Sequence, residues 1–244
     1  MRQLDWLIAR PIAHRGLHAA NAVIENTPSA FLAAIAGDYG IECDLQISAD
    51  GEAMVHHDDA LGRLTEGTSE LRSMTAADLK RVAFKATSDR MITLGELCDL
   101  TADRTVLLIE LKSKGDGDSR LPARAAKVLS GYGGRAALMS FDPGQTAALH
   151  AMASRLPRGI VAEKGYPRAP ALHAAMRRSI RYSAQFIRTR PQFIAYSVND
   201  LPAAMPTIAK QLGVPVLAWT VRNEMQRQKA KRYANQIIFE GYRP

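Results

Sequence analysis

Three short segments carry side chains whose types and spacing suit chemistry: His14-Arg15-Gly16, Glu42-Cys43-Asp44 and Glu110-Leu111-Lys112. In the second and third, the charged residues are two apart, so on a β-strand both would face the same side. Carboxylates brought together repel one another and resist leaving water. Two arrangements answer that problem. Glu42, Asp44 and Glu110 could ligate a hard divalent cation, Mg²⁺ or Ca²⁺, through oxygen, or Arg15 and Lys112 could neutralise them in a structural network. His14 adds a group that accepts or donates a proton near neutrality.

These residues need a scaffold that gathers strand ends. Apolar, β-branched runs near 11–14, 41–47, 105–111, 136–141, 159–162, 193–198, 214–219 and 236–239 read as eight strands separated by alanine-rich helical stretches. Most strand starts lie about 21–34 residues apart, enough for a strand and a crossover helix. The expected fold is therefore a (β/α)₈ TIM barrel, whose functional groups sit at the C-terminal strand ends. An open doubly wound sheet is the competing architecture, but no G-x-G-x-x-G follows the first strand. Thr27-Pro28 supplies an N-cap and a first-turn proline for a helix ending near Gly37, and Thr93 with Glu96 reads as a capping box.

One interval, of about 64 residues, is twice its neighbours and predicts a small insertion after the second strand, at about 48–92, within one domain spanning 1–244. Asp50-Gly51 inside it is a hairpin signal. A two-residue turn there would place Asp44 opposite His57, on the same face of the ribbon. His56 would then point the other way, and His18, in the loop after the first strand, is a weaker candidate for lining the mouth.

Composition excludes several classes. The 244 residues are 47% hydrophobic and 23% charged, ordinary for a globular chain. No apolar run approaches the roughly 18 residues of a membrane span. The N-terminus lacks a secretory apolar core, so a cytoplasmic location is expected. Cys43 and Cys98 are too few for a disulfide framework or a cysteine zinc site and read as buried thiols. The net charge of +8 concentrates in two stretches, Arg177–Arg190 and Arg222–Arg232. Solvated helix faces explain such charge, with attraction of anionic substrates or weak contact with an anionic membrane surface as the sharper alternatives. Nothing in the pattern suggests nucleic acid binding.

Taken in order, His14-Arg15-Gly16, Glu25-Asn26-Thr27, Glu42-x-Asp44, His57-Asp58 with Leu61-x-Arg63, Thr93-Leu94-x-Glu96, Glu110-Leu111-Lys112, Ser140-Phe141-Asp142 and Trp219-Thr220-Val221 resemble the glycerophosphodiester phosphodiesterase family. The resemblance implies a TIM barrel with an insertion after the second strand. It also implies metal-dependent hydrolysis of glycerophosphodiesters to glycerol 3-phosphate and an alcohol. Glu42, Asp44 and Glu110 match the family's divalent-cation ligands, and His14 and His57 its general acid/base pair. Arg15 and Lys112 match phosphate contacts, while Glu25 matches a polar group beside the metal. Trp219 is a candidate to pack against the glycerol moiety, with a plain core role as the alternative. The chain departs from the pattern at its last strand, where Glu240 stands in place of the usual polar pair, and at Arg222, where asparagine is usual. A lysophospholipase D-like activity, another phosphodiester, or a non-catalytic barrel that binds phosphate esters are the alternatives.

Overall fold

A computed structural model of the chain describes residues 2–18, 23–153, 155–164 and 188–244. The described residues include nine strands, β1 (Ile12–Ala13), β2 (Gly40–Ile47), β3 (Ala53–Val55), β4 (Leu107–Leu111), β5 (Ala136–Ser140), β6 (Arg158–Ala162), β7 (Phe193–Ser197), β8 (Val216–Val221) and β9 (Gln236–Phe239). The described helices are α1 (Pro28–Ala36), α2 (Ala76–Arg81), α3 (Leu94–Thr101), α4 (Arg120–Leu129), α5 (Pro143–Met152), α6 (Ala204–Gln211) and α7 (Glu224–Tyr233). Every strand except β3 pairs in parallel with both neighbours, and β1 bonds to both β2 and β9, so eight strands close into a TIM barrel. All eight coincide with the apolar runs of the sequence. Residues 177–187 of the first basic stretch lie outside the described residues.

Alternation along the strands divides the core in two. Ile41, Cys43, Leu45, Leu107, Ile109 and Leu111 point outward into the layer shared with the helices. Leu108, Ala137, Met139, Phe193, Leu217 and Ile238 point inward, and Leu4 and Leu7 of a 3₁₀ segment, Arg2–Leu7, join them. The segment precedes β1, so it plugs the N-terminal end of the barrel with apolar side chains. Glu42, Asp44 and Glu110 share the inward parity, Asp44 and Glu110 one inward step beyond Leu108 and Glu42 level with it. The floor is thus hydrocarbon and the mouth is charged. Both cysteines are buried free thiols, and no helix among the described residues is long and apolar enough to cross a membrane.

The caps form as read. The Thr27 hydroxyl accepts from the Ala30 amide with Pro28 in the first turn, and Thr93 and Glu96 make a reciprocal capping box. The insertion carries β3, α2 and its own small core of Met54, Leu61, Leu71, Leu79, Phe84 and Met91.

The hairpin differs from expectation. β3 pairs with β2 as Leu45–Val55, Gln46–Met54 and Ile47–Ala53, a shift of one residue. The loop holds three residues, Ala49-Asp50-Gly51, with Gly51 at φ +82°, and Ser48 and Glu52 close it. A three-residue loop ending in left-handed glycine is the next commonest hairpin after the two-residue turn assumed from Asp-Gly. Asp44 consequently lies opposite His56, whose amide donates to the Asp44 carbonyl at 3.0 Å. The expected Asp44–His57 pairing is not formed.

Candidate active site

The tight corner after β1 sets the first group of residues. Gly16 has φ +81°, and a Cβ there would lie 2.8 Å from backbone and side-chain atoms of Ala30 in α1. Only glycine allows this approach. Arg15, also left-handed at φ +56°, donates its amide to Glu42 Oε2 at 2.9 Å. Its guanidinium donates to Glu25 Oε1 at 2.7 Å and lies 3.2 Å from Asp44 Oδ2. Asn26, left-handed too, clasps Asp44 twice: its amide nitrogen donates to Oδ2 at 2.9 Å, and its oxygen accepts the Asp44 amide at 3.2 Å. Asparagine is among the residues that tolerate this conformation.

Parallel register aligns Asp44 with Glu110 across β2 and β4. Glu42, Asp44 and Glu110 are all buried and offer carboxylate oxygens within 4.8 Å of one another. Lys112 reaches back from the end of β4, with Nζ 2.9 Å from Asp44 Oδ1 and donating to Glu110 Oε1 at 2.7 Å. The network read as an alternative from sequence is therefore present: Arg15 and Lys112 both pair with carboxylates.

That compensation is uneven. Burial resists ionisation of Asp44, but Lys112 and Arg15, followed by the two histidines, hold its carboxyl well below the usual range. Burial together with Asp44 and Glu110 pushes Glu42 well up, and burial carries Glu110 to about 7 against the pull of Lys112. Glu42 Oε1 is shut off from solvent and has no hydrogen-bond partner among the described residues. An unpartnered buried oxygen beside two further carboxylates is a donor set short of positive charge, and it fits a hard divalent cation.

His14 and His57 are each held by a carboxylate. His14 Nδ1 lies 2.9 Å from Glu240 Oε2, and its Nε2 lies 3.9 Å from Glu42 Oε2. The hydrogen bond from His14 lowers Glu240 to about 2, so Glu240 can only accept and His14 Nδ1 carries the proton. Burial lowers the His14 pKa, with Glu240 opposing. The free Nε2 therefore faces the carboxylate cluster. His57 Nδ1 lies 2.8 Å from Asp58 Oδ1, and Arg63 bridges Asp58 to Glu25 at 2.6 Å on both sides. Burial opposes ionisation of Asp58 and Glu25, but these guanidinium contacts hold both carboxyls low. Gln46 of β2 donates to the His57 carbonyl at 3.0 Å. This bond, rather than ladder pairing, fixes His57 beside the mouth.

His14, Arg15, Glu25, Glu42, Asp44, His57, Glu110 and Lys112 thus fall in one network at the C-terminal end of the barrel. His56 instead packs 6.5 Å from the Phe84 ring in the insertion. Trp219 lies within β8, two residues before its end, edge-on to Phe141 with ring centroids 5.3 Å apart. Sequence reasoning assigned no task to Asn26, Asp58 and Arg63, and noted Glu240 only as a carboxylate at a strand end. Asp58 had a visible signal in its adjacency to His57. Glu240 had only its place at the last strand's end, because its contact with His14 spans 226 positions of chain.

Comparison with known proteins gives concordant results. Residues 14–240 match the profile described as the glycerophosphoryl diester phosphodiesterase family. A glycerophosphodiester phosphodiesterase of Caldanaerobacter subterraneus subsp. tengcongensis is 36% identical over 110 residues, 42% of this chain and 44% of the relative. The aligned stretch thus spans under half of that curated relative's length. Among solved structures, an Oleispira antarctica phosphodiesterase in complex with the product sn-glycerol-3-phosphate superposes with a TM-score of 0.79. Identity is 21%, over 95% of this chain and 92% of that one. The Thermotoga maritima glycerophosphodiester phosphodiesterase gives 0.73 at 20% identity, over 93% and 92% of the two chains. At such identity the superpositions speak for the fold.

Proposed function

The chain belongs to the glycerophosphoryl diester phosphodiesterase family, and from that membership we propose that it hydrolyses glycerophosphodiesters to glycerol 3-phosphate and an alcohol. The observation that carries this reading is the pairing of a buried, charge-deficient carboxylate cluster with a histidine Nε2 3.9 Å away. Glu42, Asp44 and Glu110 would hold a divalent cation, Mg²⁺ or Ca²⁺. When bound, the cation would offset phosphate charge and polarise its oxygens.

The chain's own residues do the rest. A phosphodiester is an anion and repels its nucleophile, so Arg15 and Lys112, freed in part by cation binding at the carboxylates, would turn positive charge toward the phosphate. Glu25 and Arg63 keep the Arg15 guanidinium in place. The reaction needs one group to take a proton from the nucleophile and one to give a proton to the leaving alkoxide. His14 and His57, each oriented through Nδ1 by a carboxylate, would do these two tasks with Nε2, each worth about 10²–10⁴-fold in rate. Trp219 would contribute an apolar wall for the glycerol carbons.

The direct test is release of glycerol 3-phosphate from glycerophosphocholine, glycerophosphoethanolamine and glycerophosphoglycerol, with Mg²⁺ or Ca²⁺ supplied and with EDTA. Turnover with metal and its loss in EDTA is the expected result. No product from any of these esters with metal present would refute the assignment.

A further inference from the structure

A second group of ligand-type side chains stands at the same end of the barrel, on the seam where the last strand meets the first. His14 follows β1, His18 lies four residues further on, and Glu240 follows β9. One nitrogen from each imidazole and one Glu240 oxygen lie within 4.8 Å of one another. His18 Nε2 is shut off from solvent and has no hydrogen-bond partner among the described residues. Buried polar atoms are normally partnered, so an orphaned imidazole nitrogen on a member of this cluster points to a missing ligand. Glu240 Oε2 is shared by His14 at 2.9 Å and by Arg222 at 2.8 Å. The Arg222 side chain is 53% exposed, so it can turn to solvent when another cation arrives.

The two clusters differ in chemistry. Glu42, Asp44 and Glu110 offer hard oxygens only, the preference of Mg²⁺ and Ca²⁺. Two imidazoles and one carboxylate are a set used by zinc, which holds neighbouring ligand atoms roughly 3.4 Å apart at bond lengths near 2.0–2.1 Å. The ligand atoms here lie within 4.8 Å of one another, so zinc binding would draw them closer. We propose that His14, His18 and Glu240 form a second, zinc-type cation site, separate from the carboxylate cluster, and that zinc bound there inhibits turnover. Inhibition follows because zinc on His14 Nδ1 displaces the proton held there and leaves Nε2 protonated, unable to take one from the nucleophile. Zinc on Nε2 would instead occupy the exchanging nitrogen itself. The binding half stands on the cluster itself, whereas the inhibitory half rests on the catalytic role proposed for His14.

The test is zinc binding by calorimetry, and by metal analysis after gel filtration, in saturating Mg²⁺. Wild type should retain about one zinc per chain and lose Mg²⁺-supported turnover as zinc is added. His18→Ala and His18→Gln should weaken zinc binding, and raise the zinc concentration for half-inhibition, by about tenfold or more. Their zinc-free turnover should stay within about twofold of wild type. Arg222→Gln removes a competing cation from Glu240 and should tighten zinc binding severalfold. Glu42→Gln, which damages the carboxylate cluster, should still retain zinc. Absence of zinc from wild type, unchanged binding in both His18 variants, or loss of zinc in Glu42→Gln would each overturn the site. Zinc bound without inhibition would overturn its regulatory half. Zinc bound by a wild-type protein that turns over no ester would instead count against the proposed function and leave the site standing.

Discussion

At the scale of single residues, the site works through mismatched neighbours. Asp44 receives two cations and the Asn26 clasp, whereas Glu42 keeps one buried oxygen unpartnered. Glu42 and Glu110 therefore have folded pKa values above those of the unfolded chain, Glu110 at about 7. Groups raised in this way favour folding below their unfolded pKa, and that contribution is lost as pH rises through the folded value. The metal-free protein should lose stability between about pH 4.5 and 7 through Glu110, and Glu42, raised as well, adds loss in the same direction as pH climbs. Mg²⁺ or Ca²⁺ should restore it, so the rise in Tm on adding cation should be clearly larger at pH 8 than at pH 5 by thermal unfolding. A cation effect of equal size at both values would contradict this account. Glu240 gives a second test. Glu240→Gln removes the charge that fixes the His14 tautomer and opposes the lowering of its pKa. We expect kcat to fall about 10–10²-fold, with the His14 limb of the pH–rate profile moving to lower pH. The Tm should change little.

At the scale of elements, the strand–helix alternation was legible because each strand is an apolar run bounded by turn residues, and both caps follow from side-chain chemistry. The charged face of β2 and β4 was legible from parity, since Glu42, Asp44, Glu110 and Lys112 alternate with Cys43 and Leu111. The hairpin register was not, because Asp-Gly serves both a two-residue turn and the last two places of a three-residue loop. Ser48 decides between them: its hydroxyl accepts the Glu52 amide at 2.8 Å and stabilises the longer loop. His57 reached the mouth by a bond from Gln46 that no local pattern announces. The corner at Gly16 is the element most sensitive to change. Gly16→Ala demands a left-handed alanine and pushes a methyl group into the backbone of α1. It should cost about 2–3 kcal/mol by denaturant unfolding and also weaken substrate binding, because Arg15 and Glu42 are set by that corner.

At the scale of the whole molecule, the acidic cluster is sunk in a chain of net charge +8. The surrounding field favours approach of anions, while the cluster itself attracts cations. For the anionic ester glycerophosphoglycerol, kcat/KM should fall as NaCl is raised from about 20 to 200 mM, because screening shortens to under about 10 Å. For glycerophosphocholine, which carries no net charge, the fall should be several times smaller. Equal salt dependence for the two esters would remove the steering argument. The apolar plug of Leu4 and Leu7, together with the inward Leu108, Phe193 and Ile238, keeps this electrostatics at one end by filling the other with hydrocarbon.

The ring seam has a consequence for biogenesis. β1 contributes only two residues and bonds to β2 and β9, and its His14 takes its carboxylate from position 240. On a ribosome delivering about 5–20 residues each second, the amino-terminal histidine waits many seconds for the residue that orients it. A nascent chain halted before position 240 therefore has an open barrel edge and lacks the carboxylate that orients His14, the residue proposed to carry a proton. Synthesis thus withholds competence from fragments until the last strand has docked.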